Sequence, residues 1–406
     1  MASEPVRWSA CILLLASGAS WADADCGDDC SPLRIDGKYI HETWRVPAGG
    51  LPHETGLAAD YEHLGKIDLA LSVRGERAFN LPGFTLFARA IYDTAGAISG
   101  EYTGDAQGVS NIEATSAARL FELWSEWTSA SNRSLRVGLY DFNSEFDSNA
   151  TGALFINPSH GIGKDVSQSG RSGPSIFPVT SLGARVRWKV AQAWSLQMAA
   201  LDGVPGDPDR PKRTAVHIGA DDGALLAAEM DRRGNRLSKL AFGTWHYTGR
   251  FDTFNASDDM ENPRTSRGSS GAYALAEVQL YRASDDSSHG LAGFVRFGVA
   301  DKDVNRFGSY AGTGLVYTGV LADDDQLGFA VAHATNGGAY RRVEALAGNA
   351  TDAAETNLEL TWRFSVREWL TLQPDVQYIF NPNTDPGLDD ALAVGLRFEL
   401  WVTTNR

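Results

Sequence analysis

The chain has 406 residues, with 36 Lys and Arg against 51 Asp and Glu, a formal net charge of −15 and a pI near 5.0. So acidic a chain excludes a general nucleic-acid partner, which needs positive potential along the track it follows. A mean hydropathy of −0.24 and 42 Gly exclude a bundle of membrane helices, but they suit a barrel in which only every second strand residue meets lipid.

The N-terminus reads as an export signal, residues 1–24. Arg7 precedes the apolar run Ala10-Cys11-Ile12-Leu13-Leu14-Leu15-Ala16, and Ala22-Asp23-Ala24 has the small-x-small form of a cleavage site. Cleavage after Ala24 removes Arg7, Glu4, Asp23 and Cys11 and leaves the mature chain strongly acidic. The run is too short to cross a bilayer, and no later stretch approaches the ~18 unbroken apolar residues of a membrane helix. Cys26 and Cys30 remain, in Cys26-Gly27-Asp28-Asp29-Cys30. An oxidising compartment favours a small local disulfide between them over free thiols, and a zinc site would need about four ligands where no matching pair follows. Residues 25–35 then form a short periplasmic segment ahead of a barrel domain over 36–406.

From there the chain predicts about sixteen strands, at 36–46, 60–73, 83–93, 117–128, 133–142, 180–190, 193–202, 225–232, 237–247, 271–282, 290–299, 311–320, 326–334, 356–365, 370–380 and 391–401. The connections alternate in length. Residues 129–132, 190–192, 232–236, 283–288, 321–325 and 365–369 are short; 94–116, 143–179, 203–224, 248–270 and 335–355 are long. Short turns at one end and long loops at the other are the pattern of a transmembrane antiparallel β-barrel, and an even count returns both termini to the periplasmic side.

The faces agree. Leu392, Val394, Leu396, Phe398 and Leu400 alternate with Ala393, Gly395, Arg397 and Glu399. Ile67, Leu69, Leu71 and Val73 oppose Lys66, Asp68, Ser72 and Arg74; Leu358, Leu360, Trp362 and Phe364 oppose Glu359, Thr361 and Arg363. Period two places successive side chains on opposite faces of a sheet. An apolar exterior around a charged interior predicts a wet lumen in place of a packed core, one in which Gly395 tolerates a charge and Leu396 does not.

Enzyme signatures are missing: there is no GxSxG elbow, HExxH, Walker loop or Rossmann fingerprint, and no organic cofactor is expected. Ser159 and His160 are neighbours with no evident orienting acid. Asp323-Asp324-Asp325, Asp207 and Asp209 are acids of the kind that hold calcium, but solvated loop acids are the favoured reading.

Several long strings resemble the carbohydrate-selective porin family of Gram-negative outer membranes, the OprB type: GDAQGVSNIEA at 104–114, LRVGLYDFNSEFD at 135–147, SQSGRSGPSIFPVTSLGARVRW at 167–188, LDGVPGDPDRP at 201–211, GAYALAE at 271–277 and GFVRFGVAD at 293–301. The resemblance runs from about Tyr61 onward. It implies a sixteen-stranded barrel in outer-membrane lipid, an inward-folded third external loop and a narrow passage for small carbohydrates such as glucose. A homotrimer and a monomer both fit. The chain departs from many outer-membrane barrels by running past a terminal aromatic, through Trp401-Val402-Thr403-Thr404-Asn405-Arg406. The third long loop, 143–179, is the one that narrows such barrels. The resemblance therefore places Asn143, Glu145, Asp147, Ser167, Gln168 and Ser169 near the constriction, facing Arg89, Glu122, Trp124, Glu126, Arg136, Arg185 and Arg187 on the wall. Arginine forks and carboxylates hydrogen-bond sugar hydroxyls, and an aromatic face packs on the apolar side of a pyranose.

Overall fold

Sixteen strands close into one antiparallel barrel in the computed structural model, which describes residues 31–52, 61–254, 264–284 and 289–405. They are β1 (Leu33–Gly50), β2 (Glu62–Arg74), β3 (Phe84–Asp93), β4 (Ala117–Thr128), β5 (Arg133–Tyr140), β6 (Ser181–Lys189), β7 (Trp194–Asp202), β8 (Ala224–Arg233), β9 (Leu237–Asp252), β10 (Thr265–Arg282), β11 (Gly290–Ala300), β12 (Phe307–Thr318), β13 (Gln326–Asn336), β14 (Ala354–Arg367), β15 (Leu370–Phe380) and β16 (Asp389–Asn405). Each expected strand is present. Every strand pairs with its sequence neighbours, and β1 closes the barrel on β16 with Tyr39 opposite Leu400. Closure leaves no sheet edge to satisfy in lipid. The export signal, Cys26 and Cys30 lie outside the described residues.

The outward alternation is as the sequence reads. Leu69, Phe329, Leu360 and Leu396 are each 43–54% exposed, whereas inward Asp68, Glu359, Gln373 and Glu399 are buried. So much exposed apolar surface around a whole barrel needs lipid against it.

The inside differs from the wet lumen expected. Toward the long-loop end many inward positions are apolar, although Asp93, Arg119 and Glu355 there are buried and charged. Trp44, Leu64, Ala391 and Ala393 bury Ile98, Val109, Ile112 and Ile156, from the loops after β3 and β5. Across the barrel, Leu225, Trp245, Tyr247 and Tyr273 bury Phe142, Phe146, Ile162 and Val166 of the third long loop. Much of the lumen is therefore a packed core built between wall and loop. These inward residues alternate correctly but carry no charge, because their partners are apolar loop side chains and not water.

Gly395 shows the consequence. A Cβ there would collide with the Trp44 ring, which lies flat against the glycine. Gly395→Arg should therefore fail to fold, contrary to what alternation alone predicts. Leu396→Arg should fail as well, for a different reason: a charge near the lipid midplane costs roughly 2–4 kcal/mol. Leu396→Phe should assemble normally. Folding yields into lipid vesicles, read by heat-modified electrophoretic mobility, check all three; full assembly of Gly395→Arg would contradict the packed interior.

Candidate functional site

The third long loop crosses the lumen because its backbone finds inward-facing partners all round the wall. Ile156 N–H and Asn157 N–H donate to the Glu359 carboxylate of β14 at 2.5 and 3.0 Å. Thr151 N–H donates to Glu277 of β10 at 2.7 Å, the Tyr310 hydroxyl of β12 donates to the Ser159 carbonyl at 2.7 Å, and Gln373 of β15 donates to the Leu154 carbonyl at 2.8 Å. Irregular backbone at membrane depth is stable only where protein satisfies it in this way.

The loop leaves one side of the lumen open. A cavity of about 280 Å³ remains between it and the wall formed by β1–β5 and β14–β16. Of the residues expected at the constriction, Arg89, Glu122, Trp124, Arg136 and Asn143 line it. Arg89 grips Asp68 with both Nε (2.8 Å) and Nη2, while its Nη1 stands 3.6 Å from Glu122. Trp124 donates its indole N–H to Glu122 at 3.1 Å, and the Arg136 guanidinium lies 3.8 Å from the Trp124 ring centroid. Asn143 lines the cavity from the loop, its amide tied to the carbonyls of Phe146, Asp147 and Gly161.

The other expected residues lie elsewhere. Glu126, Glu145 and Arg185 sit one layer behind Arg136. Arg185 holds Glu145 through Nε and Nη2 at 2.7 and 2.8 Å and reaches Glu126 at 3.0 Å; Arg136 bonds Glu126 at 2.7 Å. Burial would raise the Glu145 carboxyl, but Arg136 and Arg185 overcome it and hold it at about 2. The Tyr140 hydroxyl adds a 2.6 Å bond to the same carboxylate. Asp147 turns away to Arg296 of β11, Gln168 bonds the Ala106 carbonyl at an exposed site, and Ser169 bonds the Val166 carbonyl. Ser167 is not against the cavity, and Arg187 stands 3.6 Å from Asp231.

Sequence reasoning missed Lys38, Lys66, Asp68, Asp141, Phe121, Phe177, Arg363, Arg397, Glu399 and Trp401, all of which line the cavity. For those on strands the inward face was legible from alternation, but freedom from loop cover was not; Asp141 and Phe177 lie in the third long loop, where alternation says nothing. Lys38 bonds Glu399 at 2.7 Å over the Trp401 ring, and Arg397 pairs with Glu42. Burial and the neighbouring Glu122 raise the Asp141 carboxyl to about 7.

Among the described residues Ser159 and His160 do not bond each other: the Ser159 hydroxyl donates to the Gln107 carbonyl at 3.3 Å, and neither His160 ring nitrogen is hydrogen-bonded, with Glu359 3.5 Å from Nε2. Burial pushes the His160 imidazole down to about 3. Asp325 caps its own turn, accepting from Val320 and Leu321 N–H groups. Among the described residues no three metal-ligating side chains come together.

A closed, lipid-belted barrel with a loop folded across its lumen is the architecture of a transmembrane β-barrel channel. A model of the carbohydrate-selective porins, OprB family, matches residues 58–400, and the chain belongs to that family. Porin B of Pseudomonas aeruginosa is 27% identical over 250 residues, an alignment that covers 55% of this chain and 55% of that protein. The chain thus spans about half the length of the curated relative it matches. The high-pH structure of OprB from Pseudomonas putida superposes with a TM-score of 0.79 at 20% identity, covering 91% of this chain and 94% of that one. The outer membrane channel DcaP of Acinetobacter baumannii superposes at 0.56 and 11% identity, covering 91% and 97%. Both share the fold.

Proposed function

We propose that this chain is an outer-membrane porin through which small carbohydrates such as glucose diffuse passively into the periplasm. The carrying observation is the cavity wall. Arg89, Arg136, Arg363 and Arg397 present guanidinium donors, Asp68, Glu122 and Glu399 present acceptors, and Trp124, Phe121 and Trp401 present ring faces in one open space under the loop. That combination hydrogen-bonds a polyol and packs on its C–H face, weakly enough for exit. The fold and the family are those of a channel. In this reading Glu126, Glu145 and Arg185 hold Arg136 in place, while Asp147, Ser167, Gln168, Ser169 and Arg187 hold the loop and wall.

Glucose block of ion current in planar bilayers tests the reading. Arg136→Gln should raise the half-blocking glucose concentration about tenfold, the worth of one charge-assisted hydrogen bond. Arg187→Gln should leave it unchanged. A channel with no glucose block, or equal effects of both variants, would remove the basis for the site.

A further inference from the structure

Six cations and four carboxylates line the cavity among the described residues. Five of the cations hold a carboxylate within hydrogen-bond range. Lys38 and Arg363 hold Glu399, Arg89 holds Asp68, Arg136 holds Glu126 and Arg397 holds Glu42. Lys66 is left over. Its Nζ has no hydrogen-bond partner among the described residues: Asp68 stands 3.7 Å away, already gripped by Arg89. The ammonium lies 4.1 Å from the Phe177 ring centroid, and the residue is only 6% exposed. An ammonium on the cavity wall whose nearest carboxylate is 3.7 Å away and already bonded to Arg89 has donors to spare for an anion.

We propose that the cavity accepts a sugar acid, an aldonate or uronate, whose carboxylate binds Lys66 while its hydroxyls bond the neighbouring Arg89, Asp68 and Glu122. The inference rests on the porin reading and narrows its substrate class. The chain's overall negative charge does not oppose it, because loop charges beyond ~8 Å are screened at physiological salt while the cavity ammonium acts at contact. Asp141, held at about 7 by burial and by Glu122, adds less than a full negative charge to the wall at neutral pH. A single salt link in a wet passage also keeps exit possible.

The test is ion current through the full-length protein in planar bilayers at constant KCl, with potassium gluconate, glucose and potassium acetate as blockers. Gluconate should half-block at about a tenfold lower concentration than glucose, and acetate should not block, since charge alone is not enough. Lys66→Gln should abolish the gluconate advantage, weakening gluconate block far more than glucose block, and Lys66→Arg should keep the advantage. Equal block by gluconate and glucose in the unaltered protein, equal loss of both in Lys66→Gln, or block by acetate would overturn the proposal. Glucose block without a gluconate advantage refutes only this inference. Absence of block by either sugar refutes the porin reading with it.

Discussion

Arg296→Ala is expected to free the third loop and to cost the barrel about 3–5 kcal/mol, the range for stranding buried charges by removing their partner. Arg296 reaches from β11 to two loop carboxylates at once. It bonds Asp147 through Nε and Nη2 at 3.1 and 2.7 Å, and Asp165 through Nη1 and Nη2. The rings of Tyr273 and Tyr310 flank it at 5.4 and 5.2 Å. Burial pushes both aspartate carboxyls up even with the guanidinium beside them, so without it they must take up protons or leave the interior. Either route loosens the loop between residues 147 and 165. Arg296→Lys should rescue little, because a point charge cannot serve two carboxylates as a planar fork does. The readouts are a lower unfolding temperature and a larger, noisier single-channel current. An unchanged current with unchanged thermal stability would show that this cluster does not anchor the loop.

The wall of the barrel was open to reading because lipid enforces it. Period two with one apolar face is required wherever a strand meets hydrocarbon, so β14, β15 and β16 announce themselves in full. Outside the lipid that constraint lapses. β9 runs on to Asp252 and β10 begins at Thr265, with Arg250 paired to Arg267. These extensions bury only glycines, Ser269 and part of Phe251, so they lack a regular apolar face for alternation to mark. β1 likewise starts at Leu33, three residues before its expected start. The site was harder still. Lys66, Asp68, Arg363 and Glu399 were readable as inward residues, yet inward Glu359 and Gln373 alternate identically, and Glu359 ends under the loop. Which inward residue stays open depends on the path of 143–179, and that path is set by long-range contacts such as Ile156 to Glu359 and Asp147 to Arg296. No local pattern encodes them. Glu145 and Arg185 illustrate the limit: both residue types suit a sugar site, but their mutual pairing consumes the groups a sugar would need.

Replacing residues 148–163 with a short glycine linker should raise single-channel conductance several-fold and abolish discrimination between sugars and other small solutes. The excised segment carries Leu154, Phe155, Ile156 and Ile162, which fill the lumen against the wall, and Leu154, Phe155 and Ile162 form the far wall of the cavity. Its removal leaves Glu277, Glu359 and Gln373 without their loop partners, but the opened lumen admits water to them, so no buried charge is stranded. The apolar loss is real: Phe294, Val316 and Ala330 lose their cover, and each large side chain so exposed costs roughly 1.5–3 kcal/mol. The paired strands remain closed, and the variant should still insert, with reduced thermal stability. Arg136→Gln, by contrast, removes donors without removing backbone, so it should weaken glucose block while changing conductance little. The two variants therefore separate the loop as the cause of narrowness from the wall as the cause of recognition. A folded loop-shortened barrel that kept both its conductance and its glucose block would place the constriction elsewhere.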